Sequence, residues 1–451
     1  ESVDFELSSM PAGGDRRPNP INQSTVGGKA VDVVDGGGLT APSLELEPAA
    51  ASAVASLAEG LDILSDPLAS AGGGLEGRSF ANRRALALQG GGSAESEAAV
   101  EAGLAWLAEH QWPDGGWRFD LEKCPNCRGY CRDSGSYRTT TAATGLAVLC
   151  FLGAGYTQDV GPYQDVVAKG LYYLTERQII TSMGGDLRDS RGDAVELGDA
   201  PRGGLSNLLT ARRRDTMYSH GIASLAITEA YAMSRDQGLR APAEEAVKFI
   251  VNAQYDDGGW RYDPAFESPG PGDMTVSGWQ IATLKSALLA GIEVPYDVWM
   301  RIADFLDSLQ EENGATYYYF RGEMMSPATT AIGLLGRMIC GWPRDRRPLQ
   351  QGAAKLAAQS PRSNNIYFIY YAAQVLHHVG GPGWQRWNPR MRDYLVSTQS
   401  QTGHETGSWY FEEAHSTPGG RLYTTAMAIM TLQVYYRYMP LYQEAFVGET
   451  P

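Results

Sequence analysis

Apolar and polar positions along residues 94–451 follow a helical period, and the pattern comes round six times. Each unit is an amphipathic helix, a Gln at its end, a Gly-rich turn often closed by Trp, and a second helix rich in Ala, Thr and Leu. The first unit, Ala99–Asp120, reads AVEAGLAWLAEHQWPDGGWRFD, with Gln111 and Trp117. The later units carry Gln178 before Gly184-Gly185, Gln254 with Trp260, Gln310, Gln359 in a degenerate copy, and Gln399 with Trp409. Second helices begin near Thr139, Thr216, Thr275, Ala328, Tyr367 and Thr424. The first helices carry charge along one face, which suits an outer ring. The small-residue second helices suit a close-packed inner ring. No hairpin of this kind buries its apolar face alone, but six in a closed circle do. The pattern therefore predicts an all-α fold, an (α/α)6 toroid of six helical hairpins. The Gln amide is expected to serve unpaired carbonyls at its own helix end, the glycines to allow the reversal, and the Trp to stack on an amide of the neighbouring unit.

Residues 1–93 break the pattern. They are rich in Gly, Ala, Ser, Pro and Asp and contain no Trp, Tyr or Cys. Such a stretch buries too little apolar surface to offset its chain entropy and reads as a low-complexity extension, with Ala49–Leu64 as its one helix-favouring segment. Tails order only when tied down, so the expectation is an arm along a protein partner or a second copy of the chain. The formal net charge of -15 excludes nucleic acid as a partner. No apolar run reaches the roughly 18 residues needed to span a bilayer. The first residue, Glu1, is expected of a trimmed chain, and an exported or cell-envelope location follows if an export signal was removed.

Candidate chemistry is sought where inner helices begin, because a helix N-terminus favours a carboxylate or an anionic ligand. Asp215 and Asp273 each precede an inner helix, as catalytic acids or as N-caps. Tyr218 is placed to hydrogen-bond Asp215, and His220 adds a titratable group for acid–base work or for the core. Further mouth candidates for binding are Tyr137, Arg138, Thr275, Trp279, Asn365, Tyr367, Tyr370, Arg421 and Tyr423. Together they would line a tyrosine-rich, partly cationic cavity for a ligand with an apolar or sugar-ring body and a polar head, unless they serve packing alone. Cys124, Cys127 and Cys131 lie within eight residues. They suit a structural zinc with Asp120, Asp133 or His110 as fourth ligand, or a disulfide, or free thiols. His404 and the His377-His378 pair lack a metal-binding spacing and read as surface groups.

The Gln…Gly-Gly-Trp units resemble the repeats of squalene–hopene cyclases and protein prenyltransferase β-subunits. As a whole, residues 94–451 look like a bacterial group of prenyltransferase/squalene-oxidase-repeat proteins. The resemblance implies a toroid with a central funnel, and it sets Asp273 on the zinc-binding carboxylate of the prenyltransferases. Thr275 stands where their Cys ligand should be, and no His follows near Ser326–Thr330. The Asp-x-Asp-Asp run of the cyclases is also absent. Three readings follow: a binding or scaffold protein of the cell envelope, an enzyme acting on an isoprenoid or other lipid, and a glycan lyase or hydrolase. The first leads, because the frame is intact while the familiar catalytic groups are missing.

Overall fold

The computed structural model describes residues 78–188, 216–362, 365–413 and 416–437. Asp215 and Ala49–Leu64 lie outside them, as do residues 1–77 of the extension. A short helix, α1 (Phe80–Gly90), leads into the first repeat. Six hairpins then pair an outer with an inner helix: α2 (Ala94–Glu109) with α3 (Thr140–Gly153), α4 (Gln164–Arg177) with α5 (Thr216–Ser234), and α6 (Gln237–Asn252) with α7 (Met274–Ala290). They continue as α8 (Tyr296–Leu309) with α9 (Pro327–Ile339), α10 (Arg347–Ala358) with α11 (Ile366–Val379), and α12 (Gly381–Thr398) with α13 (Gly420–Leu432), before a last turn, α14 (Val434–Arg437). Small antiparallel strands decorate two turns: β1 (Ile179–Thr181) with β2 (Gly184–Asp186), and β3 (Gln310–Glu311) with β4 (Thr316–Phe320) and β5 (Glu323–Met325).

The two rings follow from side-chain pattern. Helix α8 buries Val298, Ile302, Phe305, Leu306 and Leu309 along one stripe and exposes Asp297, Asp304 and Asp307 on the other. Helix α3 is buried at every position, and its run of Ala, Gly and Thr lets α5 and α13 approach on either side. Each inner helix packs on the next, and α13 returns to α3, so the circle is closed. The seam is explicit. Gln399 Nε2 donates to the Ala99 carbonyl at 2.8 Å, and Pro418 O accepts from the Ser136 and Tyr137 amides. Gly103 faces Ile429 and Trp409 so closely that a Cβ there would lie 2.7 Å from the isoleucine.

The repeat's Gln acts differently from expectation. Gln111 Nε2 donates to Gly115 O in its own turn and to Val166 O in the next outer helix, both at 2.9 Å. Gln254 does the same with Gly258 O and Val298 O, and Gln178 reaches Pro242 O. In four of the six repeats, those of Gln111, Gln178, Gln254 and Gln399, the amide thus ties the repeat to its successor, instead of serving its own helix end. The Trp117, Trp260 and Trp409 indoles are buried, the first and last against Gly170 and Gly103 of the neighbouring outer helices. They donate to carbonyls of their own outer helices, Leu107, Ile250 and Leu395. Gly258 turns the chain at φ +86, where a Cβ would sit 1.8 Å from the Arg301 carbonyl oxygen.

At the end of the ring where inner helices finish, α1 and α14 pack on each other beside α11. Arg78 and Arg437 there flank Glu229 of α5, at 2.9 and 3.3 Å, and all three side chains are buried. Burial opposes charge on Glu229, but the two guanidiniums outweigh it and hold the carboxyl below its usual range.

Candidate functional site

The inner helices begin on the opposite end. Their first turns are capped by the residue types the sequence supplies: Thr139 for α3, Asp273 for α7, Ser326 for α9 and Asn365 for α11. Six tyrosines line this mouth, one from each repeat. Tyr137 precedes α3, Tyr218 is on α5, Tyr262 precedes α7, Tyr319 is on β4 ahead of α9, Tyr367 is on α11 and Tyr423 on α13. All six are half-buried. Three of them are in direct contact. The Tyr218 and Tyr262 rings lie 6.1 Å apart, and the Tyr262 and Tyr319 hydroxyls meet at 2.9 Å. Burial, then the neighbouring Tyr367 and Tyr137 phenols, push Tyr423 well above its ordinary range, and burial does the same to Tyr218, Tyr319 and Tyr367. The phenols are thus neutral at physiological pH, and the wall is rich in hydroxyls.

Asp273 sits in this wall and is fully buried. Its Oδ1 accepts from the Thr275 and Val276 amides at 3.0 and 2.9 Å and from the Thr275 hydroxyl at 2.9 Å. Its Oδ2 is buried with no protein partner. Tyr218 donates to Thr275 Oγ1 at 2.6 Å, which completes a relay from phenol through hydroxyl to carboxyl. Tyr367 closes the other side by donating to Thr275 O at 3.2 Å. Burial pushes the Asp273 carboxyl up to about 6, against the hydrogen bonds it accepts.

The structure sorts the remaining candidates. Arg138 is exposed at the rim. Trp279 and Tyr370 are buried and stacked on each other at 6.0 Å, so they support the wall from behind. Asn365 caps its helix by accepting from Phe368 N. Arg421 is buried and bound to Asp133, Glu405, Ser400 and Ser408, which makes it a strut of the seam and not a ligand group. His220 is fully buried, accepts from Leu187 N at 3.1 Å, and has its other nitrogen 3.2 Å from both Ala246 O and Ser224 Oγ. Burial lowers it to about 4, so it is a neutral packing residue. Tyr218 partners Thr275, and Asp215 lies outside the described residues.

Tyr262 and Tyr319 are not among the candidates the sequence offers. A signal is present all the same: each stands two residues after its turn aromatic, Trp260 and Tyr317, as Phe119 and Phe411 stand after Trp117 and Trp409. His377 and His378, expected at the surface, are buried at 5% and 3% exposure. His404 shares that expectation. It is only partly exposed, and it meets Cys131 and His110 beside Cys127. The five cysteines are free and buried. Of the expected fourth ligands, Asp120 accepts from Ser134 and Asp133 pairs with Arg421, which leaves His110 near the thiols. A groove of about 460 Å³ on the far face has Arg344, Trp384, Asn388 and Arg392 of its lining tied to backbone carbonyls, including Gly90 O and Val379 O. Among the described residues, no helix is long and apolar enough to cross a membrane.

No family model matches the chain, and no curated protein does. Solved structures do. The chain is similar to cellobiose 2-epimerase from Bacillus thermoamylovorans B4167, with 13% identity and a TM-score of 0.52 over 75% of this chain and 98% of that one. It is similar to an inactive variant of the alpha-1,6-mannanase GH76A of Salegentibacter sp. HEL1_6 in complex with alpha-1,6-mannotetrose, with 11% identity and a TM-score of 0.50 over 76% and 99%. These likenesses establish the α/α toroid. They also correct the resemblance to squalene cyclases and prenyltransferases, because the toroids matched here are those of glycan enzymes. The physical reason lies in the motif: the Gln–Trp turn is a device for joining hairpins, and any ring of hairpins has use for it.

Proposed function

We propose that the toroid is a carbohydrate-active enzyme that takes saccharide rings into the tyrosine-lined mouth, with Asp273 moving a proton to or from the bound sugar. The observation that carries this reading is the company Asp273 keeps. Its free Oδ2 sits among aromatic faces that all bear hydroxyls. A sugar offers apolar C–H faces to such rings and hydroxyls to such phenols. An isoprenoid would offer these hydroxyls no polar partner, whereas a sugar can bond to the lone pairs they still have to spare. A buried carboxyl near 6 is suited to general acid–base work close to neutral pH. The glycan-acting neighbours support the same class of ligand, and the reading displaces the envelope scaffold. Export, expected from the sequence, fits a substrate that does not cross membranes unaided.

Isothermal titration calorimetry tests it, using alpha-1,6-mannotetrose, cellobiose and a farnesyl phosphate, with product analysis of each saccharide mixture. A saccharide should bind and be converted by the natural chain. Asp273→Asn should still bind it but lose conversion by at least about 100-fold, the usual weight of an acid–base group. Tyr218→Phe should weaken binding by about 1 kcal/mol. Binding of the prenyl compound with none of the sugars would overturn the reading.

A further inference from the structure

We infer that His110, Cys127, Cys131 and His404 form a tetrahedral zinc site that clasps the first repeat to the sixth and so locks the ring shut. The four ligand atoms lie within 4.8 Å of one another. Cys131 Sγ is 3.3 Å from His110 Nε2 and 3.3 Å from His404 Nδ1. A zinc ion with Zn–S of about 2.3 Å and Zn–N of about 2.0–2.1 Å would hold its ligand atoms roughly 3.3–3.8 Å apart, so little movement is needed to admit it.

The surroundings are those of a metal site as well. His110 caps α2 and turns its Nδ1 to the Trp106 carbonyl at 2.6 Å, which fixes the tautomer with Nε2 bare and facing the sulfur. The Trp106 ring stacks on that imidazole at 4.0 Å, and Tyr130 stacks on His404. The Cys131 amide donates to Cys127 Sγ at 3.1 Å, which holds that sulfur beside the Cys131 thiol. The chain between the cysteines takes two left-handed residues in succession, Arg128 at φ 50 and Gly129 at φ 76. Arg128 has a side chain in a conformation that costs energy, and a bond across the turn would hold it there. A metal-free cluster could satisfy the Cys131 thiol with its two imidazoles. It would give Cys127 Sγ, which converges on the same point, no partner beyond Cys131 itself.

The position explains the site's use. His110, Cys127 and Cys131 belong to the loop between α2 and α3. His404 comes from the turn after α12, 273 residues beyond Cys131. Beside it, Arg132 grips Glu405 with paired bonds of 3.0 Å, also across the seam. One ion at this point joins the two ends of the toroid covalently in effect and removes more freedom from the unfolded chain than any cross-link within a repeat.

The test uses the full chain, purified under reducing conditions, exposed to zinc chloride and desalted, with metal measured by mass spectrometry. The natural chain and Cys124→Ser should each hold about one zinc ion. Cys131→Ser and His404→Gln should fall to background, with His404→Gln keeping its helical circular dichroism. Chelator should lower the melting temperature of the natural chain by several degrees, to that of His404→Gln. Cobalt(II) should give thiolate charge-transfer bands and a tetrahedral spectrum in the natural chain and in neither ligand variant. A natural chain without zinc, a His404→Gln variant that retains it, loss in Cys124→Ser, or a melting temperature indifferent to chelator would each overturn the assignment.

Discussion

Asp273 is a poor choice if capping were its only task. Its folded-state carboxyl titrates near 6 against an ordinary 3.8, because burial disfavours the charge. A carboxyl raised on folding binds its proton more tightly in the native state, so stability falls as pH climbs through that window and stays lower above it. Asparagine caps equally well and carries no such penalty. Asp273→Asn should therefore be more stable than the natural chain at pH 7, by on the order of 2 kcal/mol, and the gain should vanish below pH 4. Denaturant titrations at the two pH values measure it. A variant no more stable at pH 7 would mean that the buried carboxyl has found a partner and is not poised for proton transfer. Much of this neighbourhood is legible in the sequence, since Asp273, Thr275, Tyr218, Tyr367, Tyr423 and Tyr137 all stand at inner-helix starts. His220 and Arg421 mislead for a common reason. Both occupy the same starts, but which face of a helix turns to the mouth depends on packing partners far off in sequence. Leu187 and Ala246 claim the first, Asp133 and Glu405 the second.

Among the elements, the turn between outer and inner helix does the joining. Its period and its glycines are plain in the chain. Its hydrogen bonds are not, because the Gln reaches a helix of the following repeat. Gly258 measures how tight the arrangement is. An alanine there would need a strained positive φ and would drive its methyl against the Arg301 carbonyl. Gly258→Ala should lose about 2–4 kcal/mol of stability, whereas Gly291→Ala, whose φ of +74 opens on free space, should lose only about 1 kcal/mol. Equal losses in thermal unfolding would show that backbone strain alone, and not the packing of turn on neighbour, sets the cost. The loop holding Cys127 and Cys131 is recognisable from its spacing. Its partner His404 is not, because no local spacing announces a residue 273 positions away.

As a whole molecule, the chain has two unlike ends. The mouth is lined by neutral phenols around the Asp273 carboxyl, while the far end buries Arg78, Glu229 and Arg437 with Lys285 nearby. Burial lowers the Lys285 ammonium to about 8 from 10.5, although Glu229 works against the shift. The unfolded chain holds that proton more tightly, so the native state carries a penalty below pH 8 that fades as pH rises toward 10.5. Lys285→Met, close in volume, should stabilise the protein at pH 7 by on the order of 1–3 kcal/mol, with the advantage shrinking across that window. A variant less stable than the natural chain at pH 7 would show that the ammonium completes the network of Glu229. The sixfold ring is legible in the chain itself, because hairpin periodicity is local. Its ligand class is not, because the six tyrosines are spread over all six repeats and meet only once the circle has closed. That meeting at one mouth is the claim on which the proposed chemistry depends. A crystal structure of the chain with alpha-1,6-mannotetrose tests it directly. Sugar rings stacked on Tyr218, Tyr262 or Tyr367, with a hydroxyl or bridging oxygen within hydrogen-bond reach of Asp273 Oδ2, is the predicted result. Saccharide seated in the groove by Trp384, or on the outer helices with the mouth untouched, would contradict it.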